Sequence, residues 1–147
     1  MMFQAITEIP KELCRIRTLE SLYLGRNRLS EIPKEIGMLK RLRELRVEEN
    51  TVKIVPEELG DCKSLQSLCL HVNSLRDLPI ELGHLSDTLE ELTIEGNVHL
   101  KTLPNEFGNL TTLKRLSLDV ELLGSFNNEL LGWATTLGSL EFDGGKK

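Results

Sequence analysis

Cys69 and His71 are the two side chains whose types and spacing come nearest to chemistry. Two residues apart in an extended segment, they lie on the same side of it. A thiol beside an imidazole is the core of a nucleophile–base pair, and the same two groups bind metals. A catalytic reading needs further parts. The sequence offers no third cysteine at ligand spacing and no CxxC, and no device for holding an oxyanion is visible. An open strand face also leaves water in the site. The expectation is two ordinary exposed residues, with no catalytic residue and no metal. His84 and His99 fall in loops and suggest nothing further. The glycines form neither GxGxxG nor GxxxxGK[ST], so no nucleotide and no other cofactor are expected.

What positions these side chains is a repeat. In residues 65–85, Leu65, Leu68 and Leu70 make an LxxLxL strand with its apolar side chains on one face. Asn73, Leu75, Leu78, Pro79, Leu82, Gly83 and Leu85 follow as NxL, LP and LGxL. The same columns stand 23 residues earlier at Leu42, Leu45, Val47, Asn50, Val52, Val55, Pro56, Leu59 and Gly60, and 23 earlier again from Leu19 to Leu39. They recur 24 residues later at Leu89, Leu92, Ile94, Asn97, Leu100, Leu103, Pro104, Phe107, Gly108 and Leu110. Such self-similarity means stacked units that bury one continuous core. Read in order, the chain is one domain: a partial unit at 1–18, units at 19–41, 42–64, 65–88, 89–112 and 113–136, and a terminal strand at 137–147.

The pattern LxxLxLxxNxLxxLPxxLGxL resembles the leucine-rich repeat family. The LP step with LG after it, and the 23-residue period, are most similar to its Ras-group and scaffold-type intracellular branch. The resemblance covers about residues 6–142. It implies an α/β solenoid, a horseshoe with a concave parallel sheet of about six strands and short 3-10 or helical turns on the convex side. It also implies a non-enzymatic module that binds another protein.

The columns carry their own physics. Asn27, Asn50, Asn73 and Asn97 should form a ladder that satisfies buried corner backbone. All five prolines, Pro10, Pro33, Pro56, Pro79 and Pro104, share one column, which must lie outside the sheet. A glycine follows four residues after four of them, suggesting left-handed helix ends. The fifth unit decays: Glu121 replaces asparagine and Asn127 replaces proline. Leu123, Phe126, Leu130 and Trp133 still fit the apolar columns, and Glu121 should mark the loosest corner. Cys62 fits a leucine column and should be buried; Cys14 falls in the column of Gly37 and Gly60; Cys69 should face outward. The first unit lacks a strand before it, with Met1 to Phe3 as partial cover. The end strands are then edges free to pair with a second chain, a route to self-association.

Strand alternation places Tyr23, Arg46, Cys69, Thr93, Ser117 and Glu141 in a central row of the concave wall. A second row reads Gly25, Glu48, His71, Glu95, Asp119 and Asp143, and is mostly acidic. Two readings fit it: a docking surface for a basic segment of a partner, or a charged face that keeps a leucine-rich chain soluble. The alignment of the acids favours docking.

Over 147 residues the net charge is −5, which argues against nucleic acid or an anionic membrane as partner. No run reaches the roughly 18 apolar residues of a membrane span. MMFQAITEIPKEL has neither a basic start nor an apolar core, so no signal peptide is expected. Three scattered cysteines suit a reducing compartment, hence the cytoplasm. Asn109-Leu110-Thr111 is a glycosylation sequon, expected to be silent there. The leading expectation is a signalling scaffold or adaptor. The alternatives are the recognition segment of a larger enzyme (a kinase, GTPase or ubiquitin ligase) or of an immune-type receptor.

Overall fold

The structure, a computed structural model, describes residues 4–143. The suggested cover at Met1 to Phe3 lies outside the described residues. Six strands form one parallel sheet in sequence order: β1 (Ser21–Tyr23), β2 (Glu44–Arg46), β3 (Ser67–Cys69), β4 (Glu91–Thr93), β5 (Arg115–Asp119) and β6 (Ser139–Asp143). The register keeps Leu22, Leu45, Leu68, Leu92, Leu116 and Leu140 in one line. That line is the sheet's inner layer. It packs against the leucines, valines and isoleucines of the convex half, as the repeat predicts.

The convex half begins at each proline. Pro10, Pro33, Pro56, Pro79 and Pro104 sit in extended backbone just before the 3-10 turns Lys11–Arg15, Lys34–Met38, Glu57–Asp61, Ile80–Leu85 and Asn105–Asn109. Each proline carbonyl accepts from the amide three residues on, at 3.0–3.2 Å. Proline has no N–H to lose at that point, and its fixed φ starts the turn.

The glycines after the prolines do not end helices in a left-handed conformation; Gly96 is the one described glycine with positive φ. They serve close stacking instead. A Cβ on Gly37 would lie 2.8 Å from the carbonyl oxygen of Glu58, and one on Gly83 2.7 Å from that of Glu106. A Cβ on Gly60 would collide with the Glu81 carbonyl oxygen. Successive turns touch through bare backbone there, and no side chain fits.

The asparagine ladder is present in full. The Oδ1 of Asn27, Asn50, Asn73 and Asn97 accepts from the amides of Ile6, Leu29, Val52 and Leu75, each one unit earlier, at 2.9–3.1 Å. The Nδ2 of Asn50, Asn73 and Asn97 donates both to its own corner and back to Leu24, Val47 and Leu70 of the preceding unit. The residue before each asparagine takes a left-handed backbone: Arg26 at φ 59°, Glu49 at 56°, Val72 at 55° and Gly96 at 76°. A β-branched residue such as Val72 is a rare occupant of that region.

The fifth unit is rebuilt. Its corner becomes α1 (Val120–Leu123), and its convex half becomes α2 (Asn128–Ala134). Helix geometry shifts the inward position by one: Leu122 is buried, while Leu123 is 36% exposed and leaves the apolar column assigned to it. Asn127 stands at the proline column because it caps α2, its Oδ1 accepting from Leu130 at 2.9 Å. Trp133 is buried and donates its indole N–H to Leu110 at 3.1 Å. The Asp119 carboxylate accepts from Gly96 N at 3.0 and 3.2 Å, where the earlier units use the backbone carbonyls of Glu48, His71 and Glu95.

Two glycine substitutions separate stacking from turn propensity. Gly60→Ala should lower stability by about 1–3 kcal/mol in urea unfolding, because backbone must move to admit the methyl. Gly108→Ala, where a Cβ meets open space, should be neutral or stabilising by about 0.4–1 kcal/mol.

Candidate protein-binding face

The concave wall is built by the outward positions of β1–β6. Strand register sets three rows across it. The first runs Ser21, Glu44, Ser67, Glu91, Arg115 and Ser139. Its charges pair within the row and with the central row: Arg115 reaches Glu91 at 3.0 Å and Glu141, of the central row, at 3.9 Å. Glu44 accepts from the Tyr23 hydroxyl at 3.0 Å and lies 4.0 Å from Arg46. These pairs are exposed and contribute little to stability.

The central row contains all six residues expected in it, but not all are accessible. Tyr23 is 59% exposed and carries Arg46 over its ring at 5.2 Å, a cation–π stack. Thr93 is half-buried, and Arg46 and Glu141 are exposed. Cys69 and Ser117 belong to the wall by register yet are buried, at 6% and 7% exposure. The expectation of an exposed Cys69 is corrected here. Alternation decides which face a side chain leaves from, whereas its cover comes from longer neighbours on adjacent strands. Burial pushes the Cys69 thiol up, and hydrogen bonds from Thr93 and Ser67 only partly offset this. Its sulfur lies 4.0 Å from Ser67 Oγ, while His71 Nδ1 lies 2.8 Å from Thr93 Oγ1. Each is engaged by a hydroxyl rather than by the other, and a buried protonated thiol is a poor nucleophile. Among the described residues no cluster of three or more His, Cys, Asp and Glu side chains could hold a metal ion. Among the described residues no helix is long and apolar enough to cross a membrane.

The acidic row differs from the first. Glu48 folds over Gly25, its Oε1 2.7 Å from where a Cβ on that glycine would sit. Its Oε2 is buried without a hydrogen-bond partner, and so is the Oε2 of Glu95, two strands away; on the convex side the Oε1 of Glu35 is in the same state. His71 lies between them, half-buried. Asp119 is partly spent on the Gly96 amide, so it is less free than its place in the row implied. Asp143 aligns with Asp119 through the backbone pairing of β5 and β6. A hollow of about 490 Å³ opens beside this row, lined by Tyr23, Gly25, Arg26, Arg46, Glu48, Glu49 and His71. Sequence reasoning placed Gly25 in this row but missed that it opens a hollow, and it missed the Arg26–Glu49 ion pair at 3.3 Å in the lining. The signal was available in the repeat, where Gly25 alone breaks a row of larger side chains.

A protein-family profile described as a leucine-rich repeat region matches residues 1–94. The chain belongs to the leucine-rich repeat family. Among solved structures it is similar to a leucine-rich repeat protein of Leptospira interrogans, at 31% identity and TM-score 0.79 over 97% of this chain and 36% of that one. It is also similar to the plant peptide hormone receptor RGFR1 in complex with RGF2, at 31% identity and TM-score 0.73, covering 92% of this chain and 22% of that one. A third is the leucine-rich repeat ectodomain of the Arabidopsis thaliana receptor kinase GASSHO1/SCHENGEN3 in complex with CASPARIAN STRIP INTEGRITY FACTOR 2. That match has 26% identity and TM-score 0.61 over 92% of this chain and 20% of that one. The chain thus spans between a fifth and about a third of the length of these proteins. No curated protein matches it. The leucine-rich repeat fold suggests a protein-interaction module.

All three cysteines are free and buried. Burial pushes the Cys62 thiol up to about 12, and its Sγ–H donates to the Ile36 carbonyl at 3.2 Å. An unfolded thiol ionises near its ordinary value, so stability is whole below about pH 9. It should fall by about 1.4 kcal/mol per unit as pH rises from 9 toward 12, because the unfolded state sheds the proton first. Denaturant titrations across that window should show the slope in wild type and lose much of it in Cys62→Ala.

Proposed function

We propose that this leucine-rich repeat chain serves an intracellular scaffold or adaptor and takes a basic segment of a partner protein across its acidic row. The observation that supports this is the pair of buried carboxylate oxygens, Glu48 Oε2 and Glu95 Oε2, that lack partners. An unpaired buried acceptor is costly, and an ammonium or guanidinium group is the donor that would relieve it. Acids aligned on one wall also add their fields and steer a cationic partner toward it. Three free cysteines are consistent with a reducing compartment, which supports placing the protein in the cytoplasm. Among the described residues β1 and β6 each pair on one side only, so a second copy is a further partner in this reading.

A second reading, the ligand-binding segment of an extracellular receptor, is favoured by the likeness to the two plant receptors. Asn109 is exposed, so its sequon is accessible to glycosylation. Full-length protein that remains cytosolic and unglycosylated supports the scaffold. A glycan at Asn109 supports the receptor.

The charge reading has a direct test. A lysine–glycine peptide should associate with Glu48→Lys/Glu95→Lys at least about tenfold more slowly than with wild type at low salt, with a flatter salt dependence. Stability should change by only about 0.5 kcal/mol, since neither side chain belongs to the core. Glu57→Lys, exposed on the convex side, should leave the rate alone. Unchanged association of the double variant would mean the row is only a solvated face.

A further inference from the structure

Each residue of the acidic row is followed in sequence by one on the rim of the wall, and that rim is divided. Beside β1 and β2 it carries the Arg26–Glu49 ion pair. Beside β3 to β5 the corresponding positions are Val72, Gly96 and Val120, following His71, Glu95 and Asp119. Val72 is 48% exposed and Val120 44%. Val98, two residues past Gly96, is 68% exposed. Leu123 is 36% exposed and lies one turn beyond Val120 on α1, on the same side of that helix. Gly96 forms a notch between the flanking valines: a Cβ there would meet Val72 Cγ2 at 3.0 Å.

Val72 holds this position against its backbone preference. At φ 55° it occupies a left-handed site that glycine and asparagine fill more easily. Strain of this kind persists where surrounding structure or function maintains it. The asparagine ladder fixes the backbone, yet it leaves free the choice of an exposed aliphatic side chain.

We infer that the Val72–Val98–Val120 rim is a docking shelf for an aliphatic anchor of the basic segment, which therefore has an amphipathic rather than a uniformly cationic sequence. This inference rests on the acidic-row reading. Charge complementarity selects the occupant, because the shelf is contiguous with Glu95 and Asp119. A cationic segment seated on the row brings its neighbouring side chains over these valines. The divided rim also sets a direction: the anchor lies over β3 to β5, and polar residues of the segment face Arg26 and Glu49.

The test uses two labelled synthetic peptides of equal length and charge, with binding to the whole chain read by fluorescence anisotropy. One holds only lysine and glycine; in the other, two glycines are leucine. The leucine peptide should bind about tenfold tighter, the effect of burying part of a leucine side chain. Val72→Asn/Val98→Ser should erase that advantage and leave the lysine–glycine peptide unchanged. Its thermal midpoint should not fall, since asparagine suits the left-handed site. Should the double variant fail to fold, Val98→Ser alone carries the test, because that side chain is exposed, and it should reduce the advantage. Equal affinities in wild type, or an advantage that survives the valine substitutions, overturn the shelf. Equal affinities that both weaken in Glu48→Gln/Glu95→Gln overturn the shelf while sparing the acidic row. Binding of neither peptide overturns both.

Discussion

The structure depends on one constraint: none of the units with a corner asparagine satisfies its corner from within. The strands are three residues long in β1 to β4, and the chain then turns sharply, leaving amides and carbonyls pointing into the stack. The corner asparagine closes that deficit because its side chain offers an acceptor and two donors at one point. Its oxygen takes an amide from the unit before, and its amide group reaches carbonyls of both units. Each rung therefore ties two neighbours, and stability is shared along the stack in nearest-neighbour fashion. Leucine burial drives the units together, while the ladder sets the distance and register at which they stop.

The fixed register determines the face available for recognition. Because Leu22 through Leu140 align, the side chains between them align too, and charge accumulates in rows rather than patches. The first row neutralises itself through pairs such as Arg115–Glu91. The acidic row has no comparable cation among the described residues, and two of its carboxylate oxygens are buried without partners. A soluble coat of charge would leave its oxygens in water, where they cost nothing; these are covered by protein.

The fifth unit shows how the repeat tolerates loss of its principal device. Without an asparagine at the corner, α1 satisfies its own backbone internally, and Asp119 supplies the acceptor that Gly96 needs. Asn127 caps α2 where proline would have started a 3-10 turn. The helices pack Leu122, Leu130 and Trp133 onto the same core, and the link between them adds Phe126. The solution changes the local period, which is why the rim beside β5 is aliphatic and helical, while the rim beside β1 is an ion pair.

The sequence by itself determined the architecture, since periodic leucines, asparagines and prolines each have one physical use in a stacked parallel sheet. It determined the number of strands, their order, the outer position of the prolines and which residues leave the concave face. Tertiary structure decided what the spacing could not express. Cys69 and Ser117 lie on the wall but under their neighbours, because cover depends on side chains one unit away rather than on alternation within a strand. Gly37, Gly60 and Gly83 serve close stacking and not helix ends, a distinction set by where the next unit's carbonyl falls. Leu122 replaces Leu123 inside, because a helix of 3.6 residues per turn does not keep the columns of an extended corner. The left-handed backbone at Val72 and the unpartnered oxygens of Glu48 and Glu95 emerge only when units are stacked, since each arises from contacts between residues about 23 positions apart.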